Sequence, residues 1–211
     1  MRKIILILVP AIGLLLPLVV QAQSTLYVSN LGVTSGGSKA VGSDSWLAAL
    51  FRTGTNAGGY SLDSVQLLMD AASGSPNGFS VLLYSYNNNS SYPGSSLGGL
   101  SGLDPTAGGV FTYTANITLS PSTDYFIVLT ATTPIANGYY NWSSANNLSY
   151  SSSDDWFLGA GYNSSSDGSS WVFTRPAPLQ FAVYASEVPE PATYALAGLG
   201  LAALSFRRRG K

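Results

Sequence analysis

The chain has 211 residues, 45% of them hydrophobic and only 9% charged, with a net charge of −1. It contains no His and no Cys, which excludes Ser-His-Asp and Cys-His nucleophilic sites, leaves zinc without its usual ligands and denies the fold a disulfide. Between the two ends the only cations are Lys39, Arg52 and Arg175, set against eight Asp; three scattered charges cannot track a phosphate backbone, so no nucleic-acid partner is expected.

The chain begins with Arg2 and Lys3, then an apolar stretch from Ile4 to Val20, then Val20-Gln21-Ala22. A positive n-region, an apolar run and small residues before a cut site make a secretory signal peptide, with a signal helix over residues 1–22 removed after Ala22. Export machinery is therefore the first expected partner.

Residues 23–186 are long enough for one domain with its own core. Their apolar residues recur with period two, broken by Gly, Asn, Ser and Pro clusters, and this pattern predicts strands over 26–29, 46–52, 64–69, 80–86, 110–119, 124–131, 139–143, 156–162, 171–173 and 179–185. Turn chemistry falls at Gly36-Gly37, 56–59, 75–78, 120–123, Asn137-Gly138 and Asp167-Gly168. Many short strands so spaced predict an all-β domain, a single jelly-roll-like or Ig-like β-sandwich of about 8–10 strands. Residues 64–72 also have the propensity of a helix. The low-complexity stretch 87–102, NNNSSYPGSSLGGLSG, predicts a long loop or a disordered excursion.

Candidate sites within this domain are few. Trp46 and Trp171 lie in strand patterns and are expected in the core. Trp142 and Trp156 flank the Asn/Ser-rich stretch 143–155; with Tyr140 they are candidate platforms for sugar rings. Asn163, Ser165, Asp167 and Gly168 echo the first half of an oxygen-ligand calcium loop, but the twelfth position is Thr174 rather than Glu, and a plain Asp-Gly turn accounts for the same residues. No metal or other cofactor is therefore expected. Asp154 and Asp155 are the only adjacent carboxylates of the domain; strand neighbours point to opposite faces and cannot flank one glycosidic bond, so the chain is not expected to be an enzyme.

The end of the chain, residues 187–211, has its own grammar. Val188-Pro189-Glu190-Pro191 is stiff and extended, because each proline fixes its own φ and pushes the preceding residue out of the α region. Fifteen uncharged residues follow, from Ala192 to Phe206, and then Arg207, Arg208, Arg209 and Lys211. A helix of that length falls short of the roughly 20 apolar residues a bilayer span needs, although flanking basic side chains can snorkel to the interface. A hydrophobic helix held briefly in the membrane is expected there.

Together these three segments resemble the PEP-CTERM sorting signal of Gram-negative envelope and exopolysaccharide-associated proteins. The resemblance implies recognition by an exosortase through Val188, Pro189, Glu190, Pro191 and the Arg207-Arg208-Arg209 cluster, with cleavage near Pro-Glu-Pro. It also implies a precursor inserted in the inner membrane and a mature protein at the cell surface or in the extracellular matrix. Residues 40–48, 51–54, 60–65 and 119–129, the last reading LSPSTDYFIVL, look like the choice-of-anchor extracellular domain of the R type, to which no activity attaches. The sequence thus leads to a noncatalytic exported surface or matrix protein, with a carbohydrate-binding module for exopolysaccharide as the alternative.

Overall fold

A computed structural model describes residues 23–175 and 178–189. The expected signal helix, Ala22, Glu190, Pro191, the apolar run and Arg207 to Arg209 lie outside the described residues. Among the described residues no helix is long and apolar enough to cross a membrane.

Among the described residues thirteen strands form in chain order: β1 (Thr25–Ser29), β2 (Ser35–Val41), β3 (Trp46–Arg52), β4 (Tyr60–Gly74), β5 (Ser80–Asn87), β6 (Tyr92–Leu100), β7 (Gly109–Leu119), β8 (Asp124–Thr130), β9 (Gly138–Ala145), β10 (Ser151–Ser152), β11 (Phe157–Ser165), β12 (Val172–Thr174) and β13 (Phe181–Glu187). They make two antiparallel sheets. One runs β10-β1-β13-β4-β9-β2, with β7 on the free edge of β4; the other runs β12-β11-β3-β8-β5-β6. The all-β sandwich expected from the period-two pattern is present, with more strands than the 8–10 predicted.

β4 organises the first sheet. Its first half pairs with β13 on one side and β7 on the other, and its second half pairs with β9 where β13 has ended. A register shift between Leu62 and Ser64 changes the parity of its buried side chains from Tyr60 and Leu62 to Val65, Leu67 and Met69. The bulge keeps apolar residues inward across a break in the alternation. It also makes residues 64–72 a strand and not a helix, because helical propensity is outweighed by pairing on both edges.

β8 organises the second sheet, and six of its seven residues are buried. Tyr125, Ile127 and Leu129 face the core between the sheets, as the alternation predicts, while Phe126 and Val128 belong to a second apolar cluster with Ala48 and Trp171. Each such fully buried side chain contributes about 1.5–3 kcal/mol. The second cluster is unusual because it lies on the outer face, where a two-layer sandwich ordinarily shows polar residues to water.

Two turn and loop expectations are corrected. Residues 87–102 supply the turn and the second strand of the β5–β6 hairpin, with Asn87 opposite Tyr92 and Val81 opposite Leu100. Gly36 and Gly37 lie within β2, against Ala145 and Ser144 of β9. Both β6 and β2 are edge strands that pair along one side, which removes the demand for bulky alternating residues and tolerates Pro93.

Candidate functional site

Only the first residues of the sorting segment are described. β13 ends at Glu187 opposite Tyr60, the Val188 amide donates to the Gly59 carbonyl at 3.0 Å, and Asn56 Nδ2 donates to the Val188 carbonyl at 3.2 Å. Pro189 has no N–H with which to continue the ladder. The Val-Pro-Glu-Pro sequence therefore starts at the last backbone hydrogen bond of β13 among the described residues.

The predicted sugar platform is overturned. Trp142 is fully buried, donates Nε1–H to the Gln180 carbonyl at 2.9 Å and packs edge-on against Phe181. Tyr140, on the same face of β9, is also fully buried and donates to the Asp104 carboxylate at 2.8 Å. Burial, then the bond and the charge of Asp104, hold its phenol well above the ordinary Tyr pKa. Trp156 is 2% exposed and stacks on Tyr27 at 4.7 Å and on Phe51 at 5.8 Å. Asp154 and Asp155 just before it take φ of 50° and 60°, a left-handed turn that redirects the chain into the core. Proximity to a polar loop says little about a ring when the strand's parity and the turn's handedness point it inward. The same turn places both carboxylates off any strand, contrary to the expected geometry.

The calcium echo is also dispersed. Ser165 Oγ accepts from the Gly168 amide at 2.9 Å, and Asp167 Oδ1 accepts from the amide and hydroxyl of Ser169, both at 2.8 Å. These bonds close the turn at Gly168, whose φ is +79°, and the Ser169 donors hold the Asp167 carboxyl below its ordinary range. Asn163 lines a different surface from Ser165. Among the described residues no three Asp, Glu, His or Cys side chains gather as a metal site.

A site missed by the sequence reading lies on the outer face of the second sheet. A groove of about 370 Å³ runs over Leu50 and Phe126, between Tyr86 and Tyr92 on the β5–β6 side and Phe157 and Phe173 on the β11–β12 side. Tyr86 lies parallel to Phe126, 6.0 Å away and tilted by 4°. Gly161 permits the close wall: a Cβ there would stand 2.9 Å from the Phe173 ring. Asn163 pairs with Ala48 and therefore shares its outer face; it is 3% exposed, and its Oδ1 has no hydrogen-bond partner. Arg175 stands at the rim with its guanidinium 5.3 Å from the Phe173 ring centre. Trp171 is buried as expected, in the second apolar cluster on the outer face, and Trp46 packs against that cluster partly buried. The detectable signal was that β3, β5 and β8 carry apolar residues at both parities, which marks strands covered on both faces.

Comparison with known proteins finds the PEP-CTERM protein-sorting motif over residues 187–209. No curated protein and no solved structure matches the chain, so the choice-of-anchor resemblance of the middle has no support from relatives. The motif begins at the final residue of β13 and covers the proline-flanked glutamate, the apolar run and the three arginines that the sequence reading singled out. The chain is thus a carrier of the PEP-CTERM sorting signal, an exported protein that passes the membrane, is processed by an exosortase-type enzyme and is sorted to the cell surface.

Proposed function

We propose that this chain is a noncatalytic surface or extracellular-matrix protein, in which residues 23–186 are the cargo and residues 187–211 the address. The observation that carries the reading is the sorting motif at residues 187–209, fused without a linker to the last strand of a β-sandwich. A chain without His or Cys lacks the usual nucleophile–base pairs. Three of its buried polar residues, Asn30, Ser143 and Gln180, bond to one another and to backbone. Glu190 is read by the processing enzyme and is itself no catalyst, and the signal peptide that starts export is removed after Ala22.

Cell fractionation tests this. The intact chain should appear at the cell surface or in the matrix, whereas a chain lacking residues 192–211 should be exported but lost to the medium or periplasm; equal surface retention of both would overturn the reading. Glycan binding remains a second reading, and it is favoured by the outward aromatic groove instead of the buried Trp142, Trp156 and Tyr140.

A further inference from the structure

We propose that the outer-face groove binds an acidic saccharide, a uronate-bearing ring seated between Tyr86, Phe126 and Phe173 with its carboxylate toward Arg175 and a hydroxyl toward Asn163. The inference deepens the glycan-binding reading and is independent of how the chain is sorted.

Four observations converge on this class of ligand. The groove's volume, about 370 Å³, lies within the range of small-ligand sites, and its lining combines aromatic walls with a few polar groups. Flat aromatic surfaces suit the C–H faces of a pyranose ring. Asn163 is a nearly fully buried carboxamide with an unpartnered oxygen, and a buried acceptor in this state gains from a donor that a ligand brings. A sugar hydroxyl is such a donor. A hydrocarbon chain is not, so a fatty carboxylate would satisfy the aromatic walls and Arg175 while leaving Asn163 unpaired.

The sign of the ligand's charge follows from Arg175. Of the three cations in the described domain, Arg52 is bound to Asp124 through two bonds of 2.9 and 3.0 Å. Arg175 has no ion pair among the described residues, and its guanidinium lies over Phe173. No Asp or Glu lines the groove, although the domain as a whole carries an excess of carboxylates. The groove is therefore a local cationic spot on an acidic surface, and a guanidinium presents a planar fork that matches a carboxylate.

The test uses the exported protein isolated from its host and labelled with 15N. It is titrated with oligogalacturonate, with an alginate oligomer, with neutral cello-oligosaccharide and with laurate. The inference expects one or both uronate oligomers to shift the side-chain signals of Asn163 and Arg175. Arg175→Gln, a change at an exposed position that leaves the core untouched, should weaken uronate binding about tenfold and erase the preference over the neutral sugar. Phe173→Ala, at a ring that is 42% exposed, should weaken both sugars. Binding of neither uronate at millimolar concentration, equal binding of the neutral sugar by the unaltered protein, preference for laurate, or indifference to Arg175→Gln would each overturn the proposal. None of these outcomes bears on the sorting signal, whose failure is read from the mature C-terminus.

Discussion

Val188 donates its amide to Gly59 at 3.0 Å, so the sorting motif, which begins at Glu187 opposite Tyr60, is joined to the sandwich through its first two residues. Pro189 has no N–H with which to extend the ladder. A Cβ on Gly58 would collide with the Val188 carbonyl oxygen, which shows how closely the turn at 56–59 packs against Val188.

Removing the tail should consequently leave the domain's stability unchanged. Truncation after Pro191 is expected to move the urea unfolding free energy by less than about 0.5 kcal/mol. Truncation after Gln180 deletes β13, whose Phe181, Val183 and Ala185 are fully buried, and should abolish the cooperative transition.

Gln180 should be the most sensitive polar position. Its Nε2 donates to the carbonyls of Asn30 and Val33 at 3.2 and 2.7 Å, its Oε1 accepts from Ser143 at 2.9 Å, and its carbonyl accepts from Trp142. It sits at the seam where β13 gives way to β9 along β4, where strand pairing alone leaves gaps. Gln180→Ala strands several buried groups together and is expected to cost about 2–4 kcal/mol in denaturant unfolding.

Trp156 joins the two layers of the sandwich, packing against Tyr27 of β1, Tyr60 of β4 and Phe51 of β3. Trp156→Ala should cost about 3–5 kcal/mol. Because its Nε1 has no hydrogen-bond partner, Trp156→Phe should cost clearly less. Affinity for any glycan, corrected for the folded fraction, should not change in either variant.

The legible part of this fold was its interior. The strands predicted at 46–52, 80–86, 110–119 and 124–131 match β3, β5, β7 and β8 within a residue or so, since each carries enough apolar side chains to declare a period. The strands missed, β2, β6 and β10, are all sheet edges built from Ser and Gly with few bulky residues, and their pairing is set by the neighbour rather than by their own pattern. The alternation that marks β4 in the sequence begins only at Ser64, because the bulge after Leu62 breaks the parity. The tail was legible because its meaning lies in linear order. The groove was not, because it joins Tyr86, Phe126, Asn163 and Phe173 from strands far apart in the chain.

Alkaline pH should unfold the domain cooperatively. Burial first, then nearby carboxylate charge, pushes the phenols of Tyr27 and Tyr113 above the ordinary value of 10, as burial and Asp104 do for Tyr140. A raised folded pKa means that the folded state prefers the neutral phenol. That contribution is fully present below about pH 10 and is lost as pH rises toward the folded values. Absorbance at 295 nm should therefore show these three phenols ionising only together with the loss of far-ultraviolet β signal; titration without unfolding would contradict their burial.

The central claim is that residues 187–209 are a signal acted upon by another enzyme, and mass spectrometry of the C-terminus of surface-exposed protein from its host tests it most directly. The account predicts a mature end near Pro189 to Pro191, with the apolar run and Arg207 to Lys211 gone. Surface material that still carries Arg207, Arg208, Arg209 and Lys211 would contradict it.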